Sequence, residues 1–245
     1  MTLLYDGSYE GFLSLVYEVY YKRLHVKKIQ REKTEVVLFE EVLEIQTDEQ
    51  KSQKVLSALK KKFSSKNFTT ITNIFLCDSK EFEKPLLEFI ILGIKDEKNL
   101  NNINYPCILY IKNLEKEIFR VAHRMYGFVR FEELEDGTLY AKIETKYNVL
   151  YFLGKHFLNR LGDNDFIIHD IQREFAFVKY KNEIEIRHVA SFDEPEYSKD
   201  EEKFKNLWKT FFQSVAIEKR KNKKLQQQLV PLMYRAYMSE FENDL

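Results

Sequence analysis

The stretch Arg124-Met125-Tyr126-Gly127-Phe128-Val129-Arg130-Phe131 decides how the second half of this chain is read. Its residues alternate as a β-strand requires, with Arg124, Tyr126, Phe128 and Arg130 on one side and Met125, Val129 and Phe131 on the other. The second set reads as core. The first, if exposed, offers rings to stack on unpaired bases and guanidinium groups to hold phosphates, the usual grip on single-stranded nucleic acid. The competing reading covers Tyr126 and Phe128 with a helix and pairs the arginines with Glu132, Glu133 or other carboxylates. The segment also fits the RRM stacking signature at seven of eight positions, with Met125 where glycine is expected. No second aromatic strand precedes it, so the compact βαββαβ unit is not supported.

Working downstream, Glu135-Asp136-Gly137 is a hairpin signal between strands at 124–134 and 138–145. Val149 to Arg160 has helical spacing, and Phe166–Asp170, Glu174–Tyr180 and Glu183–Val189 read as three further strands, with Lys181-Asn182 as a tight turn. Phe204 to Ile217 reads as a helix with Leu207, Trp208, Phe211 and Phe212 inward. Upstream, Leu3–Tyr5 reads as a strand that turns at Asp6-Gly7, and Ser8 caps a helix. Further helices are expected over 51–63, 67–77 and 85–100. The expected fold is α+β, one domain over 1–245, with a helix-rich part at 1–118 and an antiparallel sheet of about five strands plus C-terminal helices at 119–245.

The 245 residues are 44% hydrophobic, which suits a globular protein, and 39 basic residues balance 39 acidic ones. Any nucleic-acid role must therefore rest on local patches. Five cations at Lys219, Arg220, Lys221, Lys223 and Lys224 form one such patch, and a solvated turn is its plainer reading. Cys77 and Cys107 lack metal-ligand spacing and read as buried thiols. The N-terminus does not resemble a signal peptide, and the longest apolar run, Leu86 to Ile94, is too short to span a bilayer. A cytoplasmic protein with no membrane contact, cofactor or metal is expected. His169-Asp170 with Asp163 and Asp165 is the one local cluster of potential ligands, also readable as turn and strand-end polar residues. No P-loop, GxGxxG or GxSxG motif is present.

Four blocks in order carry a resemblance over most of the chain: Tyr5-Asp6-Gly7-Ser8-Tyr9-Glu10-Gly11-Phe12, then Val121 to Phe131 around His123-Arg124, then His156-Phe157 with Arg160, then Ile217 to Asn222 leading to Pro231 and Tyr234. Together they resemble a bacterial domain of unknown function whose members are described as DNA repair or DNA metabolism proteins. That family is encoded beside a radical-SAM protein, and a related domain extends some uracil-DNA-glycosylase-like proteins at the C-terminus. The tail departs from the family pattern, with Lys223 after Asn222 and with Leu232 and Met233 before Tyr234, which weakens a contact role for it.

The resemblance implies an accessory role on DNA, single-stranded or damaged, beside a radical-SAM partner. Arg124, Tyr126, Phe128, Arg130 and the basic run 219–224 would form the contact surface. Two other readings stay open. One is an enzyme on DNA using Asp6, His123 and Arg124 as carboxylate, acid/base and phosphate clamp; the other is a protein-interaction scaffold with no nucleic-acid contact.

Overall fold

The computed structural model describes residues 1–31, 41–189, 195–217 and 222–244. The chain forms two compact units, Met1–Glu117 and Ile118–Leu245.

The first unit is built on three short parallel strands, β1 (Thr2–Leu4), β2 (Lys28–Gln30) and β3 (Val42–Glu44), with β1 in the centre. Helix α1 (Tyr9–Lys22) follows β1 directly, and the Ser8 hydroxyl accepts from Gly11 N–H at 2.9 Å as its N-cap. Its apolar face, Phe12, Leu15, Val16 and Val19, is buried, as the 3.6-residue period requires. Helices α2 (Glu49–Lys62), α3 (Ser65–Leu76) and α4 (Glu83–Lys95) complete the layer. The helical expectation holds there; three-residue parallel strands carry too little periodicity to be read in advance, β1 apart.

Helix α5 (Pro106–Phe128) overturns the strand at 124–131. Ile108, Ile111, Leu114, Ile118, Ala122 and Met125 are all buried, so its core stripe recurs every three or four residues without a break. Met125 and Val129 are buried as the strand reading also demands. Their spacing of four is one helical turn as well as two strand periods, and it cannot separate the two.

The second unit holds five strands in the order β4 (Glu132–Glu133), β5 (Leu139–Ile143), β6 (Phe166–Asp170), β7 (Phe175–Tyr180) and β8 (Glu183–His188). The Asp-Gly hairpin forms, with Gly137 at φ 83°, although β4 is only two residues long. The sheet is mixed where an antiparallel one is expected, because β5 pairs parallel to β6. Helix α6 (Leu150–Leu161) runs between those strands and returns the chain to the same end of the sheet, the connection a parallel pair needs. Gly154 brings α6 close to the sheet, over the Phe177 ring on β7. His169 and Asp170 serve the sheet: His169 Nδ1 bonds the Tyr140 hydroxyl at 2.9 Å, and fully buried Asp170 accepts from Arg173 at 3.0 Å.

Helix α7 (Glu201–Ser214) departs from its expected packing. Leu207 and Phe211 are 57% and 56% exposed and Trp208 is 39% exposed. Phe212 packs onto Phe241, and the Trp208 indole N–H donates to the Glu240 carboxylate at 3.0 Å. Helices α8 (Lys223–Leu229) and α9 (Leu232–Arg235) end the chain with a final 3-10 turn. No helix among the described residues is long and apolar enough to cross a membrane.

Candidate nucleic-acid interface

A helix re-sorts the residues of the Arg124–Phe131 stretch. Tyr126 turns onto α6, where its ring stacks on His156 at 4.0 Å and 12°. Phe128 lies against Tyr234 at 5.9 Å. Arg130 emerges beyond the end of α5, where its Nη1 donates to the Gly127 carbonyl at 2.7 Å and satisfies one of the helix's last acceptors. Its Nε donates to Glu240 at 3.2 Å, and its guanidinium sits 5.2 Å from the Trp208 ring. Arg130 thus lines a cleft of about 800 Å³ with Lys142, Tyr197, Lys205, Trp208 and Tyr237. Tyr126, Phe128 and Arg130 are each partly covered, and they do not form one open face with Arg124.

Helical spacing puts Arg124 in different company. Arg120, His123, Arg124 and Gly127 recur at i, i+3, i+4 and i+7 and so share one side of α5. Arg120, His123 and Gly127 are exposed, and a methyl placed at Gly127 would meet nothing within 4 Å. Alongside, α6 packs on α5 through Phe119 against Phe152 at 5.5 Å and Tyr126 against His156. From α6 come the exposed Tyr151, Lys155 and Arg160, with Lys155 Nζ 5.3 Å from the Tyr151 ring.

Charge sets this pair of helices apart. Residues 118–131 and 145–162 contain no aspartate or glutamate. Arg120, Arg124, Lys155 and Arg160 make no ion pair among the described residues. In a chain with no net charge, this is a local positive surface of the kind phosphates require. Burial, and then the Arg160 charge, pull the His156 imidazole below its usual pKa, so that ring stacks as a neutral plane. Its Nε2 is buried without a hydrogen-bond partner. Burial pushes the Tyr234 hydroxyl up, against the charges of Arg124 and Lys146. Two exposed aromatics, Phe119 (45%) and Tyr151 (43%), lie within the basic surface.

Asp6 belongs to the first unit and His123 and Arg124 to the second, so no single unit gathers the three. The Asp6 carboxylate is occupied locally: Oδ1 accepts from Ser8 N at 2.9 Å and Ser8 Oγ at 2.7 Å, and Oδ2 accepts from Thr47 Oγ1 at 2.6 Å. Partial burial works against the charge, yet these bonds hold its pKa below the ordinary carboxylate value. Gly11 leaves room for this turn, since a Cβ there would fall 2.0 Å from Asp6 Oδ1. In the tail, Lys223 and Lys224 are exposed on α8, with Asn222 as its N-cap. Lys219, Arg220 and Lys221 lie outside the described residues. Among the described residues no three His, Cys, Asp or Glu side chains gather as a metal site would need.

Arg120, Lys155, Phe119 and Tyr151 escape a reading that looks for dense basic runs. The signal that finds them is the absence of carboxylates over two segments separated by the β4–β5 hairpin, which the packing of α6 on α5 joins.

No curated protein matches this chain. Residues 80–240 match the family model described as a domain of unknown function, DUF4130, and that span contains both helices of the basic surface; the chain belongs to this family.

Proposed function

We propose that this protein is a nucleic-acid-binding accessory factor in DNA metabolism or repair, acting in the cytoplasm beside a radical-SAM partner. The observation that carries the binding role is the surface of α6 and the C-terminal part of α5, free of carboxylates over 118–131 and 145–162, with four cations that make no ion pair among the described residues and two exposed rings. Arg120, Arg124, Lys155 and Arg160 neutralise phosphates, and Phe119 and Tyr151 stack on unpaired bases, which makes single-stranded or locally opened DNA the preferred ligand. The DNA-repair setting and the radical-SAM partner rest on the resemblance of the four sequence blocks.

The test is fluorescence anisotropy with labelled single-stranded, duplex and abasic DNA over a salt series, for wild type and for Arg120→Ala/Arg124→Ala. Wild-type affinity for the single strand falls log-linearly with salt, and the double variant loses roughly 1.4 from the slope, about 0.7 for each lost phosphate contact. Tyr151→Ala weakens single-strand binding by about 1–3 kcal/mol and leaves the salt slope in place. Absence of binding at low salt, or a slope the double substitution does not change, rejects the reading.

A further inference from the structure

Strand β8, Glu183-Ile184-Glu185-Ile186-Arg187-His188, ends the five-stranded sheet, and every one of its residues is exposed. Among the described residues nothing pairs with its outer edge. It is well formed on its inner side. Lys181 and Asn182 both take positive φ, 48° and 68°, as a two-residue turn of the right twist demands. The strand then pairs with β7 from Glu183 opposite Tyr180 to His188 opposite Phe175. Val189 N–H donates to Glu174 O at 2.7 Å. Antiparallel ladders alternate, so Glu183, Glu185 and Arg187 also direct their backbone groups to β7. Ile184, Ile186 and His188 direct theirs outward, where no strand among the described residues meets them.

The side chains of this free edge are unusual for a solvent-facing strand. Ile184 and Ile186 are 52% and 50% exposed. They lie opposite Lys179 and Phe177, on the face of the sheet that α6 covers. On the other face Glu185 and Arg187 form an ion pair. Proline and a bulge, two devices that blunt an edge, are missing, and the charges of Glu183, Glu185 and Arg187 all lie on the face away from Ile184 and Ile186.

We infer that the β8 edge is an interface with a second copy of the chain, the two strands pairing antiparallel with Ile186 opposite Ile186. Charge selects both the occupant and the register. Residues with outward backbone groups must face one another. Ile184 opposite itself sets Glu183 against Glu185. Ile184 opposite Ile186 sets Glu185 against itself. Ile186 opposite His188 sets Arg187 against itself. Ile186 opposite Ile186 sets Glu185 against Arg187 twice and Ile184 against His188 twice, with no like charges opposed. The strand is self-complementary in that register, as an isologous interface requires. The symmetry axis then stands perpendicular to one ten-stranded sheet, with both α6 helices on the same face. Their separation is about four strand spacings, roughly 19 Å. Where the nucleic-acid reading of α6 holds, the dimer presents two basic surfaces to one strand, a consequence that rests on that reading; the pairing itself does not.

The test is sedimentation velocity across a wide dilution series with no nucleic acid present, so its outcome is independent of DNA binding. Wild type shows a reversible monomer–dimer equilibrium. Arg187→Glu opposes glutamates at two positions and weakens the dimer at least about tenfold. Glu185→Arg/Arg187→Glu restores the opposite charges and the dimer. Ile186→Cys cross-links with its copy under mild oxidation, since Cys77 and Cys107 are both buried. Circular dichroism of each variant reports its fold. A wild type that stays monomeric at every concentration, as it would if the edge took a strand from another protein, overturns the inference. So does a dimer that Arg187→Glu leaves intact, or a folded charge-swap variant that remains monomeric.

Discussion

Arg130→Met lowers the stability of the second unit by about 3 kcal/mol, while Arg124→Ala, six residues away, changes it by less than about 0.5 kcal/mol. The two arginines flank the same short stretch, and their surroundings differ in kind. The Glu240 side chain is 1% exposed and takes two hydrogen bonds from Arg130 and one, at 3.0 Å, from Trp208 Nε1. Without the guanidinium the carboxylate stays buried with only neutral donors, Trp208 and a backbone N–H, and an uncompensated buried charge is among the costliest single changes. Methionine keeps much of the side-chain volume, so the loss reports the charge and its hydrogen bonds more than a cavity. Among the described residues Arg124 has no carboxylate to abandon. Its removal appears in the salt dependence of DNA binding, and urea unfolding beside anisotropy separates the two roles.

The pH dependence has a definite sign. Burial alone would raise the Glu240 carboxyl, but the hydrogen bonds and charge of Arg130 hold it below the ordinary glutamate value. A depressed carboxylate contributes stability that is present above its unfolded pKa, near 4.3, and is lost as pH falls through its lower folded value. In Arg130→Met burial, the largest influence, is opposed only by the neutral donors that remain, the folded pKa rises above the unfolded one, and the penalty is relieved as acid protonates the group. The gap between wild type and variant is therefore widest near neutrality and narrows as pH falls towards about 4. Urea midpoints of both proteins at two pH values check it; a gap that widens in acid contradicts the assignment.

The chain announces its turns more plainly than its long-range partners. Ser8 as a cap, Asp136-Gly137 as a hairpin and Lys181-Asn182 as a two-residue turn are local chemistry, and each forms where the residues indicate. The same locality misleads at Arg124–Phe131, where alternation over eight residues imitates a strand. The buried stripe that makes it a helix begins at Ile108, well outside that window. The β5–β6 pairing is parallel because α6 lies between the two strands, a consequence of topology and not of either strand's own pattern. Arg130 and Glu240 are 110 residues apart, so the carboxylate that holds the arginine cannot be chosen from its neighbours Glu132 and Glu133. Leu207 and Phe211 show the limit of periodicity: it correctly builds an amphipathic α7, yet says nothing of whether the apolar face is covered.

Two glycines of the α5–α6 pair respond to alanine with opposite signs. At Gly154 a Cβ would fall 2.2 Å from Cδ2 and 2.3 Å from Cε2 of Phe177. That ring moves only at a cost, because it is 3% exposed and stacked at 5.9 Å on the fully buried Phe166. Alanine gains up to about 1 kcal/mol of helix propensity there and forces α6 off the sheet or the ring off its rotamer, at about 3 kcal/mol. Gly154→Ala is thus expected to lose about 2 kcal/mol, roughly 4–8 °C in melting midpoint. Phe177→Leu in the same chain recovers part of that loss, since the smaller branched side chain vacates the space, and non-additivity in that double-mutant cycle is the specific signature. Gly127 is also helical, with open space where its Cβ would go. Gly127→Ala therefore adds propensity without a clash, raising stability by up to about 0.5–1 kcal/mol. Thermal melts of the two single variants decide it. A loss at Gly127 would mean that the open side of α5 is covered, removing the surface on which the nucleic-acid reading depends.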